Sequence, residues 1–185
     1  EQAFIDFSRQ VKPGGLVIGK FGLKRSAELK TENYWTYSLQ NESADVYAKN
    51  IRTVNGNYDF DVMVKDELIK DIRLSMGGMH NIENVVAAIA VASSLKSGND
   101  EIKKAVQNFK GVKRRFEYIL PPSAKPGEGK WVKPVFIDDY AHHPEELKAL
   151  ITGAKTLFKQ RKCTIIFQPH LYTRTRDLAK GFAEA

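Results

Sequence analysis

Two short stretches concentrate the reactive side chains of this 185-residue chain. The first is "DDYAHHPEE", residues 138–146, in which Asp138, Asp139, Tyr140, His142 and His143 fall within six positions. Carboxylates and imidazoles at this density can coordinate a metal, exchange protons or hold a polar substrate. Part of the motif is explained by a helix start. Pro144 suits the first helical position, Glu145 and Glu146 complement the positive helix N-terminus, and His143 falls near the N-cap. Asp138, Asp139, Tyr140 and His142 are left over. Neighbouring residues at a strand end point in different directions, and no second cluster of His, Asp and Cys supplies further ligands. A metal site built from protein groups alone is therefore not expected.

The second stretch is "QPHLYTRT", residues 168–175, with His170 and Arg174. Each stretch follows an expected strand: "VFIDDY" from Val135, and "CTIIF" over 163–167. In an open α/β sheet, ligands bind outside the carboxyl ends of parallel strands. Asp139, Tyr140, His142, His170 and Arg174 are accordingly expected to converge on one small polar ligand.

Three further stretches carry weaker signals. In "MGGMHNIENVVAAIA", Gly77-Gly78 permit a close approach to a helix start. His80, Asn81 and Asn84 follow, the two asparagines on one face of an otherwise apolar helix. Capping explains them, since Asn is a favoured cap. So does amide recognition of an adenine edge, which presents a matching donor and acceptor. In "GVKRRFE", Arg114 and Arg115 form either a solvated basic face or a grip for phosphate. In "GGLVIGKF", Gly14, four residues and Gly19-Lys20 nearly spell a phosphate-binding loop. Phe21 stands where that motif needs Ser or Thr for Mg²⁺, and Leu16-Val17-Ile18 read as a strand, so the stretch is a decoy.

The elements that must position these residues are legible. Residues 1–20 read as a helix end, a Pro-Gly-Gly turn and a strand. Residues 33–75 are β-rich, with a hairpin signal at Asn55-Gly56 and alternation in Phe60, Val62 and Val64. Helices are expected over 81–95 and about 100–109, the latter closing near Gly111. Beyond it, "RRFEYIL" reads as a strand and "PPSAKPGEGKWVKP" as a Pro/Gly-rich loop. "PEELKALITGAKTLF" follows as an amphipathic helix, and "RDLAKGFAEA" begins another. The order implies an α/β fold with parallel strands and a domain boundary near residue 112, giving parts 1–112 and 113–185.

Composition limits the function classes. The apolar share is 42%, the charged share 28% and the net charge +7. No apolar run is long enough to span a membrane, and no leader pattern opens the chain. The single cysteine, Cys163, cannot form an internal disulfide, so a reducing cytoplasm is the simplest setting. Basic residues are spread along the chain apart from Lys113-Arg114-Arg115, which favours a phosphate-sized ligand over nucleic acid. The chain reads as a piece of a longer protein.

"GGMHNIENVVAAIA", "FKGVKRRFE", "DDYAHHPEE" and "FQPHLYTRT", in this order and spacing, resemble the Mur ligases. The resemblance covers most of residues 72–185, and residues 1–71 are compatible with it. It implies the second half of a central ATP-binding domain (1–112), followed by the first half of a Rossmann-like domain that binds the amino acid (113–185). The phosphate loop proper would lie outside this chain. By resemblance, His80, Asn81 and Asn84 contact adenine, Arg115 approaches the ATP phosphates, and Asp139 lies near the ribose or phosphates. Tyr140, His142 and Arg174, with His170, surround the amino acid, and His142, Arg115 and Asp139 are the implied catalytic group. The implied reaction uses ATP and Mg²⁺, with the main Mg²⁺ ligands outside this chain, to join L-alanine to UDP-N-acetylmuramate through an acyl phosphate. A family member that recycles murein tripeptide, or a non-catalytic nucleotide-binding module, is the alternative. The family's usual last loop has Arg where this chain has Leu171, which leaves Arg174 to meet the amino-acid carboxylate.

Overall fold

A computed structural model describes residues 2–29, 31–54, 57–120 and 134–185. The Asn55-Gly56 turn and most of the Pro/Gly-rich loop, 121–133, lie outside the described residues. The chain divides into two compact units. The first comprises Glu1–Arg52, Asp59–Arg73 and His80–Asn108; the second comprises Thr53–Tyr58, Leu74–Met79 and Phe109–Ala185.

The first unit opens with α1 (Gln2–Ser8) and β1 (Leu16–Lys20). The short α2 (Ser26–Leu29) leads to β2 (Asn33–Ser38) and β3 (Val46–Val54), which are followed by β4 (Asn57–Val64) and β5 (Glu67–Leu74). The sheet order is β1-β2-β3-β4-β5. β1 and β2 are parallel, from Leu16↔Asn33 to Lys20↔Tyr37, and β2 and β3 are parallel at Tyr37↔Val46. Asp45 closes the short β2–β3 connection, its carboxylate accepting from the Thr36 N–H and hydroxyl, each at 2.7 Å. The expected alternation appears in β4, where Phe60, Val62 and Val64 are buried.

The near phosphate loop is a strand. Leu16–Lys20 forms β1, Gly19 leaves room for the Tyr34 ring on the neighbouring strand, and Lys20 Nζ pairs with Glu83 at 2.9 Å. Helix α3 (Met79–Ser94) buries Ile82, Val85, Val86, Ile89 and Ala90; α4 (Asn99–Asn108) buries Ile102. Burying each of these isoleucine and valine side chains stabilises by about 1.5–3 kcal/mol before entropy is counted. Both helices lie within two residues of their expected bounds.

In the second unit, β6 (Glu117–Leu120) and β7 (Phe136–Asp138) form an antiparallel pair with Glu117 opposite Asp138. Helix α5 (Pro144–Leu157) starts as its sequence implies: His143 is the N-cap, Pro144 opens the helix, and Glu145 and Glu146 sit in the first turn. The helices α6 (Tyr172–Asp177) and α7 (Ala179–Glu184) end the chain. α7 rests on α5 where a side chain at Gly181 would come within 2.9 Å of Pro144, and the Phe167 and Phe182 rings lie 5.1 Å apart.

One expected strand does not form. Residues 162–171 carry neither strand nor helix, and Ile166 is 96% exposed. A strand exists only by hydrogen-bonding to a neighbour, and among the described residues no strand pairs with this segment. The expected pair of loops leaving neighbouring parallel strands is therefore absent among the described residues. The α/β class stands, with parallel pairing in the five-stranded sheet of the first unit.

Candidate functional site

The two motif loops meet in the second unit. The Tyr140 and His142 rings lie 5.1 Å apart, Tyr140 and His170 6.0 Å, and His142 and His170 6.5 Å, centroid to centroid. The convergence is reached without the expected parallel strand. His170 is carried by the segment before α6, and Tyr140 and His142 by the turn between β7 and α5.

The His142 ring is oriented by its own turn. Its Nδ1 lies 2.7 Å from the Tyr140 carbonyl oxygen. A carbonyl only accepts, so Nδ1 carries the hydrogen, and in the neutral ring the lone pair resides on Nε2. Glu146 completes the arrangement: its Oε2 accepts from the His142 N–H at 3.0 Å and lies 3.4 Å from Nδ1. Partial burial pushes the Glu146 carboxyl up. The His142 and His143 N–H groups, together with the two imidazoles, outweigh burial and leave the carboxyl below its usual range. The sequence assigns Glu146 to the helix start alone; its spacing of four from His142 is the signal for the second role.

On the other loop, Arg174 is half-buried on α6, and among the described residues its guanidinium has no ion-pair partner. Arg176 is engaged by Asp177 at 2.8 Å. Leu171, exposed, holds the left-handed conformation at φ 70° just before α6. Tyr172–Thr175, expected in a loop after the strand, form the first turn of that helix.

Asp139 is held inside its own turn. Its Oδ2 accepts from the Phe116 N–H at 2.7 Å and its Oδ1 from the Ala141 N–H at 2.7 Å. Asp138 lies 4.0 Å from Arg114, whose guanidinium stands 6.0 Å from the Tyr140 ring centroid. Arg115 is exposed beside them.

The remaining candidates lie in the first unit. His80 and Asn84, one helical turn apart on α3, are exposed, whereas Asn81 is 6% exposed. The asparagines thus do not share an accessible face, and His80 pairs with Asn84 in position instead. Asn81 lies inside α3, which starts at Met79, and is not its N-cap. The glycine pair serves a contact within the second unit: a side chain at Gly77 would fall inside the Phe116 ring, and one at Gly153 would come within 3.1 Å of the Gly78 Cα. Among the described residues, no group of three or more His, Cys, Asp and Glu could hold a metal ion, and no helix is long and apolar enough to cross a membrane.

Comparison with known proteins places these elements. Residues 6–92 match the Mur ligase middle domain, and residues 124–185 match the Mur ligase glutamate ligase domain. The chain belongs to the Mur ligase family, its middle-domain match preceding its match to the glutamate ligase domain. It is 44% identical over 185 residues to a UDP-N-acetylmuramate–L-alanine ligase of Flavobacterium johnsoniae, covering 100% of this chain and 37% of that protein. It is 41% identical over 183 residues to the protein of that name from Parabacteroides distasonis, covering 98% of this chain and 37% of the relative. The chain thus spans less than half the length of these relatives. Among solved structures, UDP-N-acetylmuramate-alanine ligase MurC of Thermotoga maritima superposes with a TM-score of 0.72 at 25% identity, over 96% of this chain and 38% of that one. Folylpolyglutamate synthetase of Lactobacillus casei, at 18% identity and TM-score 0.70 over 98% of this chain and 44% of its own, shares the fold.

Proposed function

We propose that this chain is part of an ATP-dependent ligase that joins L-alanine to UDP-N-acetylmuramate in peptidoglycan precursor synthesis. The observation that carries the reading is the meeting of Tyr140, His142 and His170, from two motif loops, the second of which also carries Arg174. It is supported by the 44% identity to a ligase of that name. The division into an ATP-binding part (1–112) and an amino-acid-binding part (113–185), and a cytoplasmic location, belong to the same reading.

The roles follow from the side chains. Bound ATP with Mg²⁺ supplies the phosphoryl group that activates the muramoyl carboxylate. The residues present fit a nucleotide in part. The exposed amide of Asn84 and the ring of His80 suit an adenine edge, with the buried Asn81 behind them, and exposed Arg115 suits phosphate. No phosphate cradle forms at Leu16–Lys20, so the main phosphate donors and Mg²⁺ ligands are assigned outside this chain. Arg174 meets the L-alanine carboxylate. His142 orients the amine or takes its proton at Nε2, the nitrogen that the Tyr140 carbonyl leaves with the lone pair. Tyr140 and His170 shape the wall around it. Most of the catalytic effect is positioning and charge neutralisation. This chain alone is expected to be inactive.

The test is phosphate release by the full-length protein, varying ATP, L-alanine and UDP-N-acetylmuramate independently. Dependence on all three is expected. Turnover with murein tripeptide but not with L-alanine would replace this reading with the recycling one.

A further inference from the structure

The backbone on either side of Arg115 is unusual. Arg114 and Phe116 both hold left-handed conformations, at φ 58° and 50°. Bulky L residues avoid this region, and Phe is a clear outlier there. Such a turn persists only where its surroundings over-determine it. Here they do. The Arg114 N–H donates to Glu117 Oε2 at 2.9 Å, and the Arg114 carbonyl accepts from the Tyr140 N–H at 2.8 Å. The Arg115 N–H donates to the Val112 carbonyl at 3.1 Å. The Phe116 ring, 1% exposed, fills the space above Gly77, and its N–H donates to Asp139 at 2.7 Å. The other Asp139 oxygen is taken by the Ala141 N–H. Arg115 is left at the apex, exposed, with no ion-pair partner among the described residues.

We infer that Asp139 is a positioning residue for Arg115: its carboxylate locks the Arg114–Phe116 turn so that the Arg115 guanidinium is presented to a phosphate group. The inference rests on the nucleotide role proposed above for Arg115. It stands beside the contact with ribose or phosphate that the resemblance implies for Asp139, since each carboxylate oxygen, with one N–H bonded, keeps a further lone pair. A carboxylate is suited to the task because it accepts two N–H groups at once, and an N–H bond to an ionised acceptor is short and strong. Fixing the arginine before the ligand arrives spares the ordering cost at binding.

The test uses the full-length protein. In the ligand-free wild type, hydrogen exchange at the Phe116 and Ala141 amides should be slow. Asp139→Asn, which keeps only one acceptor oxygen, should speed exchange at the Phe116 or Ala141 amide more than tenfold, while Arg115→Ala should not. Calorimetry should show Asp139→Asn and Arg115→Ala each weakening ATP at least about tenfold, a difference of roughly 1.4 kcal/mol. Toward inorganic tripolyphosphate, which has no ribose, Asp139→Asn should weaken binding as Arg115→Ala does, and the double variant should be no worse than Arg115→Ala alone, because residues acting as a unit are non-additive. Multiplicative losses of tripolyphosphate binding in the double variant, or unchanged tripolyphosphate binding in Asp139→Asn, would overturn the proposal. Should Asp139→Asn not fold, fast exchange of the Phe116 amide in the wild type would overturn it as well. A wild-type protein without L-alanine-dependent turnover would defeat the ligase reading but leave the exchange and tripolyphosphate results to decide this one.

Discussion

The ring of Phe116 occupies the space that a side chain at Gly77 would need. Gly77 is therefore fixed by packing, and Phe116 by a slot that only glycine leaves open. Gly77→Ala should cost about 3 kcal/mol or more, at the upper end of overpacking, since the clash is with a fully buried ring. Phe116→Ala should cost about 3–5 kcal/mol by itself. The double variant should fall well short of the sum, because removing the ring removes the clash. Urea denaturation of the four proteins measures the coupling, and simple additivity would contradict this packing.

Acid should loosen the turn that holds His142. The Glu146 carboxyl lies below its ordinary value near 4.5, against the upward push of burial, because two backbone N–H groups and the two imidazoles favour its charge. A depressed carboxyl contributes stability above its unfolded pKa and loses it as pH falls through the folded value. Stability should therefore decline below about pH 4.5, and Glu146→Gln should flatten that part of the profile. Denaturant midpoints between pH 6 and 3 give the slopes; equal slopes in both proteins would count against the pairing.

Alkali should act on the second unit through Tyr118. Burial, reinforced by Tyr58, pushes its hydroxyl up from 10.0 to about 12. A raised value means that the folded state keeps the proton longer, so this stability is complete below pH 10 and is lost as pH rises toward 12. Tyr118→Phe should lose less stability than wild type over that range. Tyrosinate absorbance followed beside circular dichroism tests the link. Full ionisation of Tyr118 near pH 10 with the fold intact would refute it.

The proposed amino-acid end of the site rests on Arg174. By the resemblance, Leu171 stands where arginine is usual; Arg176 is engaged by Asp177, so among the described residues Arg174 is the guanidinium of α6 without an ion-pair partner. A hydrogen bond to a charged group is worth about 1.5–3 kcal/mol. Arg174→Ala in the full-length enzyme should weaken use of L-alanine about 10- to 150-fold, with much less change in KM for ATP. Leu171→Arg should be tolerated or mildly helpful. Steady-state kinetics varying each substrate separately decides; an L-alanine dependence within about twofold of wild type would remove Arg174 from this role.

By itself the sequence determined what depends on neighbours along the chain. The apolar periodicity of 82–90 and 147–158 sets helices α3 and α5, because residues three and four apart share a face whatever surrounds them. His143-Pro144-Glu145-Glu146 starts α5, because the first helical turn needs an acceptor, a residue with no N–H to satisfy, and negative charge. Leu16-Val17-Ile18 beside Phe21 was enough to mark the glycine–lysine stretch as a strand rather than a phosphate loop.

Only the tertiary structure decided what depends on distant partners. Residues 164–167 have the composition of a strand, but a strand is a relationship between two segments, and no described segment receives their hydrogen bonds. Asn81 and Asn84 are alike in sequence, yet packing buries the first and leaves the second in solvent. Asp139 reads as a candidate ligand group within a cluster of polar residues. The fold brings Phe116, 23 positions away, to its carboxylate. No local pattern announces that, because a carboxylate accepts from a backbone N–H as readily as from a substrate, and only the path of the chain determines which one arrives.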